Sequence, residues 1–343
     1  MAANESSTRR LGPEESLVRG RWVKLICGAS NQDLPAIADL CAVFATAGVH
    51  CVDVAADPAV AHAARQGLDW AESRTGWRPW LMVSLSDGLD LHFRKAWFDP
   101  AVCPPQCERP CQRVCPAEAI GDRGAINSLL CYGCGRCLPA CPYGLIEERD
   151  HRLGLGAVAE LLISIRPDAI EIHTAPGHDE GFETLLQSLD QASLSLRRLA
   201  VSCGLEAHGM AAEELATTFW RRHSRLRCRG FSPLWQLDGR PMSGDVGAGT
   251  ARSAVQLWRA MRSIAPPGPL QLAGGTNHHT LHYLNGDEQP AGIAFGGVAR
   301  RLLLPLLKEA QLRGESLREW PEGLEQAVAL ARELVTPWMN RPC

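Results

Sequence analysis

The sequence predicts an α/β fold, a (β/α)8 barrel of the TIM type carrying an inserted ferredoxin-like segment for two clusters; an open doubly wound α/β sheet is the alternative. Three observations carry this. From Trp22 onward short apolar runs alternate with stretches of helical periodicity, the pattern of strands joined by crossover helices. Eight such runs can be counted. Eight of the fourteen cysteines crowd between Cys103 and Cys141, and removing that segment and a polar opening leaves roughly the 250 residues usual for the barrel.

Residues 1–20 mix Ser6, Ser7 and Thr8 with Arg9, Arg10, Glu14 and Glu15, and are expected to form a disordered tail. Trp22 to Cys27 reads as the first strand, and Leu34, Ile37, Cys41 and Phe44 fall at helical spacing up to Gly48. Cys51 to Ala55 is the second strand. Asp57 and Pro58 make a helix start, the aspartate capping and the proline at a position whose amide needs no partner. Trp80 to Leu85 is the third strand. Strands follow at Ala169 to His173, Leu199 to Ser202, Leu234 to Leu237, Leu270 to Leu272 and Gly292 to Phe295. Helices fall between them across Val158 to Ile165, near Phe182 to Leu189, near Ala211 to His223 and from Ala251 to Ile264, with a weak one in Thr280 to Leu284. The organisation is thus 21–98 for the first part of the barrel, 99–150 for the insertion, and 151–343 for the remainder and a C-terminal helix.

Lys and Arg total 35 against 38 acidic residues, a net charge of -3 that gives no electrostatic reason to expect nucleic acid. No apolar run approaches the roughly 18 residues of a membrane span. No signal peptide opens the chain, so crowded cysteines point to metal ligation in a reducing, cytoplasmic setting.

Within the segment, Cys131-x2-Cys134-x2-Cys137-x3-Cys141-Pro142 has the spacing by which three thiolates grip one cubane and the fourth reaches its neighbour. Gly133 and Gly135 supply the backbone freedom of a loop wrapped around a cluster. Cys103-x3-Cys107-x3-Cys111-x3-Cys115-Pro116 is a looser copy. The ferredoxin-like pairing puts Cys131, Cys134 and Cys137 with Cys115, and Cys103, Cys107 and Cys111 with Cys141, on two 4Fe-4S clusters. The first-half site could instead hold a 3Fe-4S cluster, or its thiolates a zinc ion.

Two glycine turns, Gly274-Gly275-Thr276 and Gly296-Gly297, follow the last two strands, where barrels often bind phosphate; a flavin or other phosphate ligand is one expectation, mere turning of the chain the other. His173, Glu206, His278 and His279 fall near strand carboxyl ends, without a nucleophile motif or carboxylate pair to give them catalytic roles. Cys27, Cys41, Cys51, Cys203 and Cys228 read as small buried hydrophobes.

The stretches WVKLICGASNQDLPAI (Trp22 to Ile37), CVDVAADPAV (Cys51 to Val60), CYGCGRCLPACP (Cys131 to Pro142) and QLDGRPMSGDVG (Gln236 to Gly247) resemble the light-dependent period protein LdpA family. The resemblance runs from about Trp22 to the C-terminal helix. It implies a redox-responsive iron-sulfur protein that reports the electron balance of photosynthesis to the circadian clock through clock-input and oscillator proteins. It places the cluster ligands on the eight cysteines above and carries no family catalysis. The competing functions are a barrel oxidoreductase whose clusters feed electrons to a flavin-like cofactor, and a plain electron carrier served by electron donors.

Overall fold

The computed structural model describes residues 10–28, 34–88, 94–115, 117–128, 130–131, 133–150, 157–205, 209–240 and 247–342. Eight parallel strands close a barrel: β1 (Trp22–Gly28), β2 (Cys51–Ala55), β3 (Trp80–Ser86), β6 (Ala169–His173), β7 (Arg198–Cys203), β8 (Pro233–Asp238), β9 (Leu270–Ala273) and β10 (Gly292–Phe295), which returns to β1. All eight lie where the apolar runs place them, and closure excludes the open sheet. β3 and β6 pair directly, Met82 opposite Ala169, so the barrel continues across the cysteine segment as if it were absent. That segment stands on an antiparallel hairpin of β4 (Arg94–Trp97) and β5 (Glu147–Asp150).

The helices ring the barrel: α2 (Leu34–Ala47), α3 (Pro58–Thr75), α6 (Val158–Ile165), α7 (Asp179–Ala192), α8 (Ala212–Cys228), α9 (Ala251–Met261), α10 (Gly297–Arg313) and α11 (Pro321–Met339). α3 starts as expected, with Asp57 accepting from the amides of Ala59 (2.8 Å) and Val60 (3.1 Å) and Pro58 in the first turn. It ends on Gly76 at φ 65°, a left-handed cap that suits glycine. None of the described helices is long and apolar enough to cross a membrane.

Three expectations need correction. Part of the expected tail is folded: α1 (Pro13–Val18) puts Leu17 beside Trp22, Cys51, Met82, Ala169, Ala200 and Leu234, plugging the barrel where its strands begin. One buried leucine in a charged stretch is too weak a pattern to read as a helix face. The weak helix in Thr280 to Leu284 is a single 3-10 turn, Thr280–Tyr283, entered through an Asn277 side chain that accepts from the His279 amide at 2.8 Å. Cys228, expected inside, is exposed at the last residue of α8, whereas Cys27, Cys41, Cys51 and Cys203 are buried.

His50, just before β2, gives a pH signature. Its Nδ1 accepts from the Val23 amide at 3.0 Å and its ring stacks on Trp22. Burial, with Arg10 adding to it, pushes its pKa down to about 3. The unfolded chain therefore takes up this proton near pH 6.5 and the folded chain does not, so stability falls as pH drops from 6.5 towards 3. His50→Asn keeps an acceptor and removes the proton; its unfolding free energy from urea titration should fall less between pH 7.5 and pH 5, by about 2 kcal/mol.

Candidate metal centre

The insertion has its own small core of Phe98, Cys111, Ile120, Cys137 and Ile146, closed at the base where Arg149 stacks 3.2 Å over the Trp97 ring. Its two halves repeat one local design. A four-residue helix, α4 (Pro110–Arg113) or α5 (Cys137–Ala140), carries a cysteine, Cys111 or Cys137. The next ligand-type cysteine, Cys115 or Cys141, follows, and the chain turns three residues later through a left-handed residue, Glu118 (φ 50°) or Gly144 (φ 62°). The turn aims an amide back at sulfur: Ala119 donates to Cys115 Sγ at 3.3 Å and Leu145 to Cys141 Sγ at 3.4 Å. Ile120 and Ile146 then enter the core.

The halves differ before the helix. In the second, Gly133 (φ 75°) and Gly135 (φ 73°) take the left-handed positions. In the first, Arg109 does so at φ 51°, its amide donating to Cys107 Sγ at 3.4 Å. A side chain there costs about 1–2 kcal/mol, which makes the looser half the more strained one.

Burial and neighbouring thiols act together on three of the cysteines. Burial pushes the Cys137 thiol up to about 12, and Cys131, Cys134 and Cys115 add to that. Cys134 rises by burial and by the same Cys115 and Cys131. The Cys111 thiol is raised by burial, then by Cys141, Cys107 and Cys103. Cys115 thus lies near Cys137 of the second half, and Cys141 near Cys111 of the first. Thiols so crowded resist ionising together unless a cationic core sits among them, and amides pointed at sulfur are what an anionic iron-sulfur cluster draws on. The donor set therefore fits the clusters expected of it. Among the described residues no three His, Cys, Asp or Glu side chains are close enough to hold one metal ion; a cubane spreads its four thiolates over four irons and asks for wider quartets than one tetrahedral zinc.

The chain leaves the barrel for the insertion through a buried knot. The Asp87 amide donates to His173 O at 3.1 Å, and its carboxylate accepts from Thr174 Oγ1 and from His178 Nδ1 at 2.9 Å. Arg222 stands 3.8 Å away and pairs with Asp179 at 2.6 Å. On the far side, Lys308 of α10 pairs with Glu118.

At the barrel mouth the glycines do other work. A Cβ on Gly274 would lie 2.6 Å from Arg240 O and one on Gly275 2.7 Å from Thr250 O, so both are small to let the neighbouring loop pass. The Thr276 hydroxyl donates to Ala294 O. Gly296 precedes α10 and Gly297 is its first residue, without a side-chain cap. His278 and His279 lie together on the loop after β9, ring centroids 4.3 Å apart, and Glu206 lies outside the described residues.

Sequence reasoning missed the middle of the barrel. Lys24, Asp53, Ser84, Glu171, Gln236 and Gln271 are all buried and linked. Lys24 Nζ donates to Asp53 Oδ2 (3.0 Å) and to Glu171 Oε2, and Ser84 Oγ donates to Asp53 Oδ1 at 2.7 Å. Gln236 donates to Glu171 Oε1 at 2.8 Å and accepts from Gln271 at 2.7 Å, while Gln271 accepts from Trp22 Nε1 at 2.6 Å. His173 Nε2 lies 3.2 Å from Glu171 Oε1. The available signal was one polar residue at an inward position of each of several apolar strands.

Comparison with known proteins fits this division. The family domain described as the LdpA Fe-S cluster-binding domain matches residues 103–152, and the Light dependent period A C-terminal domain matches residues 161–337. Light dependent period A of Synechococcus elongatus is 48% identical over 334 residues, 95% of this chain and 93% of that protein. An uncharacterized ferredoxin of Methanocaldococcus jannaschii is 41% identical over 56 residues, 16% of this chain and 34% of its own length. Among solved structures, tryptophan synthase of Mycobacterium tuberculosis aligns over 96% of each chain at 12% identity with a TM-score of 0.47. With its cysteine segment matched to the iron-sulfur domain and nearly its whole length to one relative, the chain belongs to the light dependent period A family and is an iron-sulfur protein.

Proposed function

We propose that the insertion holds two 4Fe-4S clusters, one on Cys103, Cys107, Cys111 and Cys141 and one on Cys115, Cys131, Cys134 and Cys137, and that their redox state is the signal the protein delivers. The repeated turn that aims one amide at Cys115 Sγ and another at Cys141 Sγ supports this reading above all else, with Cys115 close enough to act on Cys137 and Cys141 on Cys111. When bound, each cluster takes up or gives one electron near the surface. The chain's part is to hold the thiolates, to direct the amides of Arg109, Ala119 and Leu145 at sulfur, and to fix the insertion on its hairpin.

The quartets differ in exposure. Cys103, Cys107 and Cys141 are half-buried and only Cys111 is buried, whereas Cys131 and Cys137 are both buried in the other set. The first quartet, looser in spacing and open to solvent, is the site that gives up an iron to become a 3Fe-4S cluster under oxidation. In a cytoplasm whose electron supply follows light, that change would be read by clock-input and oscillator proteins, as the family resemblance implies.

Protein purified without oxygen should carry about eight irons and eight sulfides per chain, with broad absorbance that dithionite bleaches. Brief exposure to air should give the electron paramagnetic signal of a 3Fe-4S cluster, lost when Cys103 and Cys111 are both changed to Ser, which leaves two thiolates. Zinc without sulfide would overturn the reading. Stoichiometric flavin would move it to the barrel oxidoreductase.

A further inference from the structure

Lys95 is a buried cation placed beside the second half of the insertion. It is 5% exposed, on β4 opposite Arg149 of β5, and its strand neighbour Ala96 packs against the insertion's small core. Successive side chains of a strand point to opposite faces, so Lys95 runs away from that core, on the side where Asp57 of the barrel acts on it. Its Nζ donates to Ser128 O at 2.6 Å. Ser128 lies within the turn closed by the Cys131 amide, which donates to Asn127 O at 3.0 Å. The ammonium therefore grips the turn that presents Cys131.

A buried ammonium is costly unless an opposite charge answers it. Among the described residues no carboxylate pairs with Lys95, and Asp57, which acts on it from further off, is engaged as the cap of α3. Burial pulls the Lys95 pKa down, and Cys131, then Asp57, act against that fall. The balancing anion thus belongs on the cysteine side. A 4Fe-4S core held by four thiolates is net negative, and more so by one charge once reduced. A charge kept out of water feels that extra unit strongly, because solvent and salt screen it little. Two other charges face the same quartet: Arg136 acts on Cys134, and a Glu148 carboxylate oxygen lies 3.5 Å from where a Cβ on Gly135 would stand. Both are half-buried and of opposite sign, so they offset each other and leave Lys95 as the buried charge.

We propose that Lys95 raises the reduction potential of the cluster on Cys115, Cys131, Cys134 and Cys137, its buried ammonium favouring the reduced form. This rests on the two-cluster reading and adds the residue that biases one cluster against the other. The step is a one-electron reduction: a low-potential one-electron donor is oxidised, the cluster core gains the electron, and Lys95 keeps its proton throughout, so no bond forms or breaks. The two sites then divide the work, the buried one biased to take electrons and the open one to lose iron.

The test titrates full-length protein, loaded without oxygen, with dithionite in the presence of mediator dyes, following the paramagnetic signals of the reduced clusters. Lys95→Gln keeps an N–H for Ser128 O and removes the charge. It should hold about eight irons and make one cluster at least tenfold harder to reduce, a midpoint lower by about 59 mV or more for one electron, with the other cluster moving less. The same shift should persist with Cys103 and Cys111 both changed to Ser, which removes the other cluster. Lys95→Arg keeps the charge and should stay within about threefold of wild type. If Lys95→Gln loses iron, Lys95→Met decides by the same midpoint. An unmoved midpoint at full iron content, equal shifts of both clusters, a shift in Lys95→Arg as large as in Lys95→Gln, or loss of iron from both neutral variants would each overturn the proposal. None of these touches the two-cluster reading, which fails instead on the iron and sulfide content of the wild-type protein.

Discussion

Lys24→Met is expected to cost the barrel about 3–5 kcal/mol, the usual price of removing one partner from a buried charge cluster. Burial would push the Glu171 carboxyl up, but Lys24 and then His173 hold it down at about 2. Burial pushes the Asp53 carboxyl up to about 6 against the pull of Lys24, with Glu171 adding to the rise. Without the ammonium both carboxyls must shift upward, since each then faces the other's charge in a buried space. A carboxyl whose folded pKa exceeds its unfolded value favours the folded state at low pH and loses that advantage as pH rises through the folded pKa. The deficit of Lys24→Met should therefore be largest at pH 8 and shrink below pH 6, and adding Glu171→Gln should recover part of it at pH 8. Equal urea midpoints for wild type and Lys24→Met at pH 8 would show that the layer is not held by these charges.

Cys134→Ser is expected to remove a whole cluster, taking iron from about eight to about four per chain. A serine hydroxyl is a much poorer ligand for iron than a thiolate, so the second quartet is left one good ligand short of a 4Fe-4S cluster. Because the quartets interleave, the loss frees Cys115 of the first half and loosens both halves of the small core. The barrel should persist, since its strands pair without the insertion. Cys228→Ser, on the exposed end of α8, should leave iron unchanged. Metal analysis beside far-ultraviolet circular dichroism separates these results; unchanged iron in Cys134→Ser would dissolve the second quartet.

The eight strands were legible because each is a short apolar run between turn-forming residues, and the iron-sulfur character of the insertion because the Cys-x2-Cys-x2-Cys-x3-Cys-Pro run is the spacing of a cubane site. The hairpin under the insertion was not, for Arg94–Trp97 and Glu147–Asp150 are charged and show no apolar alternation. Lys24 and Glu171 were passed over for the opposite reason: one charged residue in an apolar strand looks like an interruption until the barrel closes and turns both inward. Gly274 and Gly275 were read towards a ligand because a glycine pair says only that something passes close, and what passes is the Arg240 and Thr250 backbone. Cys228 was misplaced because a helix's last residue can face either way.

The hairpin of β4 and β5 also bears on how the barrel survives an empty insertion. β3 and β6 are separated by roughly eighty residues of chain, against about thirty in an ordinary strand-helix-strand unit. Loop-closure entropy grows only with the logarithm of length, so a slack segment of that size weakens the β3–β6 seam by about 1 kcal/mol. Pairing Trp97 with Glu147 draws the two ends together and shortens the effective tether. The scaffold is thereby insulated from the segment it carries: the barrel's strand order stays closed whatever the insertion holds.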